Sequence, residues 1–174
     1  GNFESYTGWY IPITAYSAGY SNLFSRSPLW SMRAGVYYPA HNRYSYSDFG
    51  QVVSIPFDAK TATLSYYYYP ISTGWAKFAS TDRPTDGNVK SAQALSTDVQ
   101  YLLVLDWWGN WIDTLRWERT NLPGFSTAPV VIPLIDNLRN YRGWTIRLQW
   151  GVYNNGWDGV TSMFVDDASL QICK

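Results

Sequence analysis

The chain has 174 residues, 13 basic and 13 acidic side chains, one His and one Cys, with 15% charged against 18% aromatic residues. That length suits one domain, 1–174, with its own core and no disulfide framework. The zero net charge argues against nucleic acid or an anionic membrane as partner, and the single His and Cys argue against a soft-metal centre.

No apolar run is long enough to span a bilayer. No stretch has the make-up of a signal peptide, so the numbering is expected to start at a mature boundary. The 15 Tyr and 10 Trp exceed what a core of this size needs. The surplus is expected on the surface, where both residues serve as contacts. Few Lys and Glu with many Tyr, Ser, Thr and Asn suit a secreted or cell-surface protein.

Apolar and polar residues alternate along the chain, broken by Gly, Pro, Asn and Asp, and no segment carries a helical period. The pattern predicts strands at 8–14, 29–37, 50–56, 61–70, 100–106, 111–117, 128–133, 144–153 and 162–172. So many short strands predict an antiparallel β-sandwich. The longest loops are expected at 40–49 and 72–97. Trp108-Gly109-Asn110 reads as a hairpin turn, and 136–143 as one helical turn ending at Gly143.

Alternation assigns faces. Leu64, Tyr66 and Tyr68 are expected inside, with Tyr67 and Tyr69 outside. Tyr101, Leu103 and Leu105 are expected inside, with Leu102 and Val104 outside. Ile146, Leu148 and Trp150 are expected inside, with Arg147 and Gln149 outside. If the two strands share a sheet, Tyr67, Tyr69, Arg147 and Gln149 form a platform of stacking rings and planar hydrogen-bonding groups. Such a mixture binds sugars. Trp75 and Trp157 sit in Gly-flanked loops, as loop anchors or as exposed contacts. The Trp residues at 107, 108, 111 and 117 surround a hairpin, so some must lie near the surface.

Asp166 and Asp167 are adjacent inside an apolar run. On a regular strand they point to opposite faces, so one must be buried or lie at an edge and needs a partner. A hard cation with oxygen ligands suits it, Ca²⁺ best. Cys173 reads as a small apolar residue closing the last strand, with an intermolecular bridge as the alternative. Catalysis finds no motif. The one His, His41, has only Ser45 or Ser47 nearby as nucleophile, and no nucleophile elbow, phosphate loop or acid pair across a cleft is visible. The chain is expected not to be an enzyme.

Several segments carry a resemblance. They are Gly1-Asn2-Phe3-Glu4, Gly8-Trp9, Trp30-Ser31-Met32-Arg33-Ala34-Gly35, Gln51-Val52-Val53-Ser54-Ile55-Pro56 and Phe164-Val165-Asp166-Asp167-Ala168-Ser169-Leu170. In this order the chain resembles the jelly-roll carbohydrate-binding modules of extracellular bacterial enzymes and of large bacterial surface proteins. The resemblance implies an all-β jelly-roll sandwich. It also implies a structural calcium joining Glu4 to Asp166, with carbonyls from Asn2 and the Ser31 region. Two functions follow as expectations. One is a non-catalytic module for a polysaccharide or glycan, carried by a larger parent protein. The other is a self-assembling structural or adhesive subunit of a bacterial sheath, filament or surface layer.

Overall fold

The computed structural model describes residues 3–73, 97–121, 126–131 and 141–174. Among the described residues nine strands form two antiparallel sheets. They are β1 (Gly19–Ser21), β2 (Ser31–Gly35), β3 (Tyr44–Ser54), β4 (Thr61–Ser72), β5 (Val99–Leu105), β6 (Trp111–Glu118), β7 (Ser126–Val131), β8 (Thr145–Asn155) and β9 (Thr161–Cys173). The first sheet has the order β1-β2-β9-β4-β7 and the second β3-β8-β5-β6. This is the antiparallel sandwich that the alternation predicts, of the jelly-roll type that the resemblance implies. Among the described residues no helix is long and apolar enough to cross a membrane.

The core lies between the sheets. From the first sheet it takes Ala62, Leu64, Tyr66 and Tyr68 of β4 and Met163, Val165 and Ala168 of β9. From the second it takes Phe49 of β3 and Ile146, Leu148, Trp150 and Val152 of β8. Trp150 stacks on Phe49 at 5.7 Å and meets Tyr66 edge-on at 5.6 Å. Phe3 and Trp9 close the N-terminal side of this aromatic centre. Arg116 of β6 ties the sheets together, its Nε donating to the Tyr66 hydroxyl (3.0 Å) and its Nη1 to the Tyr68 hydroxyl (3.1 Å).

Three expectations change. The predicted strand at 8–14 is only an isolated bridge, Tyr10 to Gly50, whereas β3 starts at Tyr44, inside the predicted 40–49 loop. Only the short 3-10 turn Pro39–His41 precedes it. The facing of β5 is reversed. Leu102 and Val104 enter the main core, while Val99, Tyr101, Leu103 and Leu105 form a separate cluster with Tyr153. Every residue of β5 except Gln100 and Tyr101 is aliphatic, so alternation carries no signal there. Finally, a β-bulge lets Asp167 take φ 49° opposite Tyr66, and both neighbouring carboxylates emerge on the outer side of the sheet. Asp tolerates this left-handed conformation better than most residues.

Truncating the shared anchor of the core tests this packing. Trp150→Ala should destabilise the fold by about 3–5 kcal/mol, read from chemical denaturation midpoints.

Candidate ligand-binding face

The two sheets differ in what covers their outer faces. On the five-stranded sheet the segment between β1 and β2 folds across β4 and β9. Phe24 packs edge-on against Tyr69 (5.1 Å) and Phe164 (5.0 Å), and the Arg26 guanidinium lies 3.6 Å above the Tyr67 ring. Tyr67 and Tyr69 are therefore already engaged. They also belong to a different sheet from Arg147 and Gln149, so the four-residue platform does not form.

Two carboxylates pin the covering segment. Asp166, fully buried, accepts from the backbone N–H groups of Arg26 and Ser27 (2.8 Å each) and Asp167 (2.8 Å). Glu4 accepts from the N–H groups of Leu29 (3.1 Å) and Trp30 (2.9 Å). Ser27 Oγ joins the two, 3.0 Å from Asp166 and 3.3 Å from Glu4. The Trp30 N–H bond holds the Glu4 carboxyl below its ordinary range. Glu4 and Asp166 thus meet as the resemblance implies. The groups facing them, however, are N–H and O–H donors. A calcium shell needs about six to eight oxygens, and as arranged the pair does not fit one. Among the described residues no three His, Cys, Asp or Glu side chains group to hold a metal. Asn2 lies outside the described residues.

The four-stranded sheet carries a different outer face. The pairing places residues in cross-strand rows: Tyr46–Tyr153–Val99, then Asp48–Gly151–Tyr101–Trp117, then Gly50–Gln149–Leu103, then Val52–Arg147–Leu105–Trp111. Tyr10 extends the third row beyond Gly50. An exposed sheet face ordinarily carries polar side chains. Here a second apolar cluster covers it, with Tyr46, Trp111 and Trp117 packed around Tyr101, Leu103, Leu105 and Tyr153. Tyr101, Trp117 and Trp111 form a stacked column, with centroids 6.0 and 5.8 Å apart.

Two glycines flatten this face. A Cβ on Gly151 would lie 2.3 Å from Tyr101 Cζ, so the Tyr101 ring lies directly on the Gly151 backbone. A Cβ on Gly50 would lie 3.3 Å from Arg147 Cγ, so the Arg147 stem crosses the sheet there. Its guanidinium reaches over the Tyr10 ring at 4.7 Å.

Between these rings sit polar groups with unspent hydrogen-bonding capacity. Asp48 is only 9% exposed, and among the described residues nothing donates a hydrogen bond to its carboxylate. Burial pushes its pKa up to about 6, against the opposing pull of Arg147. Arg147 Nε is buried and has no acceptor among the described residues. Burial, and then the nearby Asp48, also raise the Tyr101 hydroxyl well above its ordinary value. Gln149 stands in the adjacent row, between Gly50 and Leu103. An acceptor and a donor, both largely desolvated and with hydrogen-bonding capacity left among aromatic rings, could meet a ligand that offers hydroxyls and an apolar face.

Arg147 and Gln149 are thus the predicted site residues found on this face. Asp48, Tyr46 and Tyr10 were not singled out from the sequence, Tyr101 was expected inside, and Trp117 entered only as one of the Trp residues around the hairpin. Tyr44, Tyr46 and Asp48 do alternate with Ser45, Ser47 and Phe49, a signal hidden by reading 40–49 as a loop. Trp157 is 90% exposed on the turn after β8, where Asn155 Oδ1 accepts from the N–H groups of Trp157 (2.8 Å) and Asp158 (3.0 Å). Trp75 lies outside the described residues. His41 is exposed beside Tyr16, whereas Ser45 and Ser47 are buried, so those three do not assemble as a triad.

No protein-family model matches the sequence, and no curated protein matches it. Solved structures do. The chain is similar to TmCBM61, solved in complex with β-1,4-galactotriose, at a TM-score of 0.56 and 12% identity over 99% of this chain and 94% of that one. It is similar to CBM28, a non-crystalline cellulose specific carbohydrate-binding module, at a TM-score of 0.50 and 11% identity over 98% and 91%. It is also similar to the enzymatically active domain of tailspike protein 4 of bacteriophage CBA120, at 0.54 and 12% identity over 99% of this chain and 20% of that one. The fold is therefore that of the β-sandwich carbohydrate-binding modules.

Asp48 gives a stability test. Its folded-state pKa of about 6 exceeds the ordinary 3.8, so the folded protein binds the proton more tightly than the unfolded chain. The penalty for ionising it is absent below about pH 4, grows between about 4 and 6 and is complete above, reaching about 3 kcal/mol. Asp48→Asn should therefore stabilise the protein above pH 6 and change little at pH 4. Denaturation curves at pH 4 and pH 7.5 check this.

Proposed function

We propose that the outer face of the four-stranded sheet binds carbohydrate, and that the protein is a non-catalytic binding module of a secreted or cell-surface protein. The observation that carries this reading is the Asp48 carboxylate, 9% exposed and with only the charge of Arg147 acting on it, beside an Arg147 Nε that has no acceptor among the described residues, on an aromatic face. A folded chain keeps such groups desolvated at a cost in stability, and a ligand that satisfies them recovers it. The ligands named for TmCBM61 and CBM28 are a galactotriose and non-crystalline cellulose, which supports a neutral glycan as the ligand class.

The chemistry follows from the layout. The C–H face of a pyranose stacks on the partly exposed rings of Trp117, Trp111, Tyr46 or Tyr10. Its hydroxyls donate to Asp48. Arg147 and Gln149 donate to hydroxyl and ring oxygens, with Arg147 fixed by its passage across Gly50.

One observation favours the second reading, a subunit of a surface assembly. Trp157 follows one end of β8 and Trp144 precedes the other, and both are exposed, together with Phe57 and Ile13. Apolar side chains at both ends of the sandwich suit head-to-tail contacts between copies. Light scattering separates the two: a monomer that binds glycan supports the module, and a polymer that binds none supports the assembly.

Binding should fall in a defined pattern. Asp48→Asn should weaken glycan binding by about ten- to a hundredfold, the scale of a hydrogen bond to a charged group. Trp117→Ala should weaken it by about three- to tenfold. Tyr67→Ala, on the opposite sheet, should bind like the parent. Parental affinity should rise between pH 5 and 7 as Asp48 ionises, and the Asp48→Asn variant should lose that rise. Titration calorimetry on the best polysaccharide from a glycan array checks each, and equal binding by Asp48→Asn and Trp117→Ala would remove this face from consideration.

The carboxylate clamp yields a separate prediction. Asp166→Ala should cost about 3–4 kcal/mol, because it leaves three backbone N–H donors without their acceptor. A calcium ion at Glu4 and Asp166 would have to displace those donors. A melting temperature that drops in excess chelator, with the drop abolished in Asp166→Ala, would establish the ion. An unchanged melting temperature leaves the N–H clamp as the whole joint.

A further inference from the structure

The turn that joins β5 to β6 carries two tryptophans that the fold does not use. Trp107 is 60% and Trp108 83% exposed, and neither ring contacts another aromatic among the described residues. The turn itself is held firmly. Asp106 N–H donates to Asn110 O (2.9 Å) and Gly109 N–H to Asp106 O (3.1 Å). Asn110 returns two bonds to the Asp106 carboxylate, from its backbone N–H and from Nδ2, at 2.8 Å each. Gly109, at φ 89°, supplies the left-handed residue that the turn requires. The turn would hold with polar residues at 107 and 108. Two exposed indoles on a rigid frame are instead prepared for a partner, since little conformational freedom remains to be lost on binding.

The same turn walls a hollow. Asp106, Trp107, Trp108, Trp144 and Thr145 line a space of about 390 Å³. It adjoins the face described above. Thr145 lies two residues before Arg147 on β8, and Asp106 directly follows Leu105 of β5. Arg147 Nη1 lies 3.9 Å from where a Gly109 Cβ would be.

We propose that this hollow is a second sugar-binding station, taking one uncharged pyranose unit against the indoles of Trp107, Trp108 and Trp144, with Asp106 as hydroxyl acceptor. The inference rests on the carbohydrate reading of the neighbouring face and adds to it. The ligand is a chain lying along β8, with its end unit at the turn. The distance fits: from Thr145 to Tyr153 an extended strand covers about 25 Å. The class of unit follows from the lining. Exposed indole faces select the C–H face of a sugar. The Asp106 carboxylate, which Asn110 holds ionised, repels a uronate, and among the described residues the lining itself carries no basic side chain, the nearest being Arg147 beyond Gly109.

The test uses two ladders of probes, cello-oligosaccharides and β-1,4-galacto-oligosaccharides of two to six units. They are titrated by calorimetry into the parent, into the double variant Trp107→Ala/Trp108→Ala and into Asp48→Asn. Both indoles are exposed, so the double variant should fold like the parent. In the series that binds, parental affinity should climb with chain length. The double variant should keep the parental affinity for the shortest binder and lose about three- to tenfold for the hexamer. Asp48→Asn should weaken every length. If the double variant binds the hexamer as tightly as the parent while Asp48→Asn loses all lengths, the hollow is not a station although the face stands. If neither series binds the parent, this inference and the carbohydrate reading fall together.

Discussion

The packing of Trp150 sets the character of both faces of its sheet. β8 is central in the four-stranded sheet and pairs with β3 along its whole length and with β5 over Val99–Leu105. Trp150 faces inward between Phe49 and Tyr66, so Ile146, Leu148 and Val152 face inward with it. Arg147, Gln149, Gly151 and Tyr153 are thereby committed to the outside. A slip of one residue would bury Arg147 and expose Trp150, so register here is strongly specified. Through the pairing, the same choice turns Asp48 and Tyr101 outward on the flanking strands.

The two outer faces then take opposite courses. On the five-stranded sheet, the segment after β1 supplies Phe24 for the apolar groups and N–H donors for Glu4 and Asp166. That face is closed with its carboxylates satisfied, and it joins the start of the chain to its last strand. On the four-stranded sheet the aromatic column and the two glycines leave a flat floor, and Asp48 and Arg147 Nε remain without partners among the described residues. Local departures from satisfied hydrogen bonding mark functional sites more often than structural ones.

This site stands on a rigid base. Tyr101 rests on Gly151 and is backed by Trp117, so its ring has nowhere to turn. Arg147 is confined by Gly50 beneath and Tyr10 beside it. The arrangement fixes geometry in advance, which would limit the entropy lost on binding the proposed ligand. The raised pKa of Asp48 is the thermodynamic counterpart: ionising it in the folded state carries a penalty that a hydroxyl-donating ligand would relieve.

The fold class was legible from the chain alone, because alternation in β4 and β8 is strong and each side chain's face follows from parity. Leu64, Tyr66, Tyr68, Ile146, Leu148 and Trp150 lie where parity puts them. So did the meeting of Glu4 with Asp166, through the resemblance of the chain's two ends to a known family. Parity failed in β5, where Leu and Val occupy both faces, and at Asp167, where a bulge adds a residue to the count. Which strands share a sheet is a long-range property that no local pattern encodes. Tyr67 and Arg147 each face outward as expected, yet from opposite sides of the sandwich. What the sequence determined by itself was which side chains of β4 and β8 are inside and which outside. Which outside residues become neighbours, Asp48 with Arg147 and Tyr101, was decided only when strands far apart in the chain paired across β8.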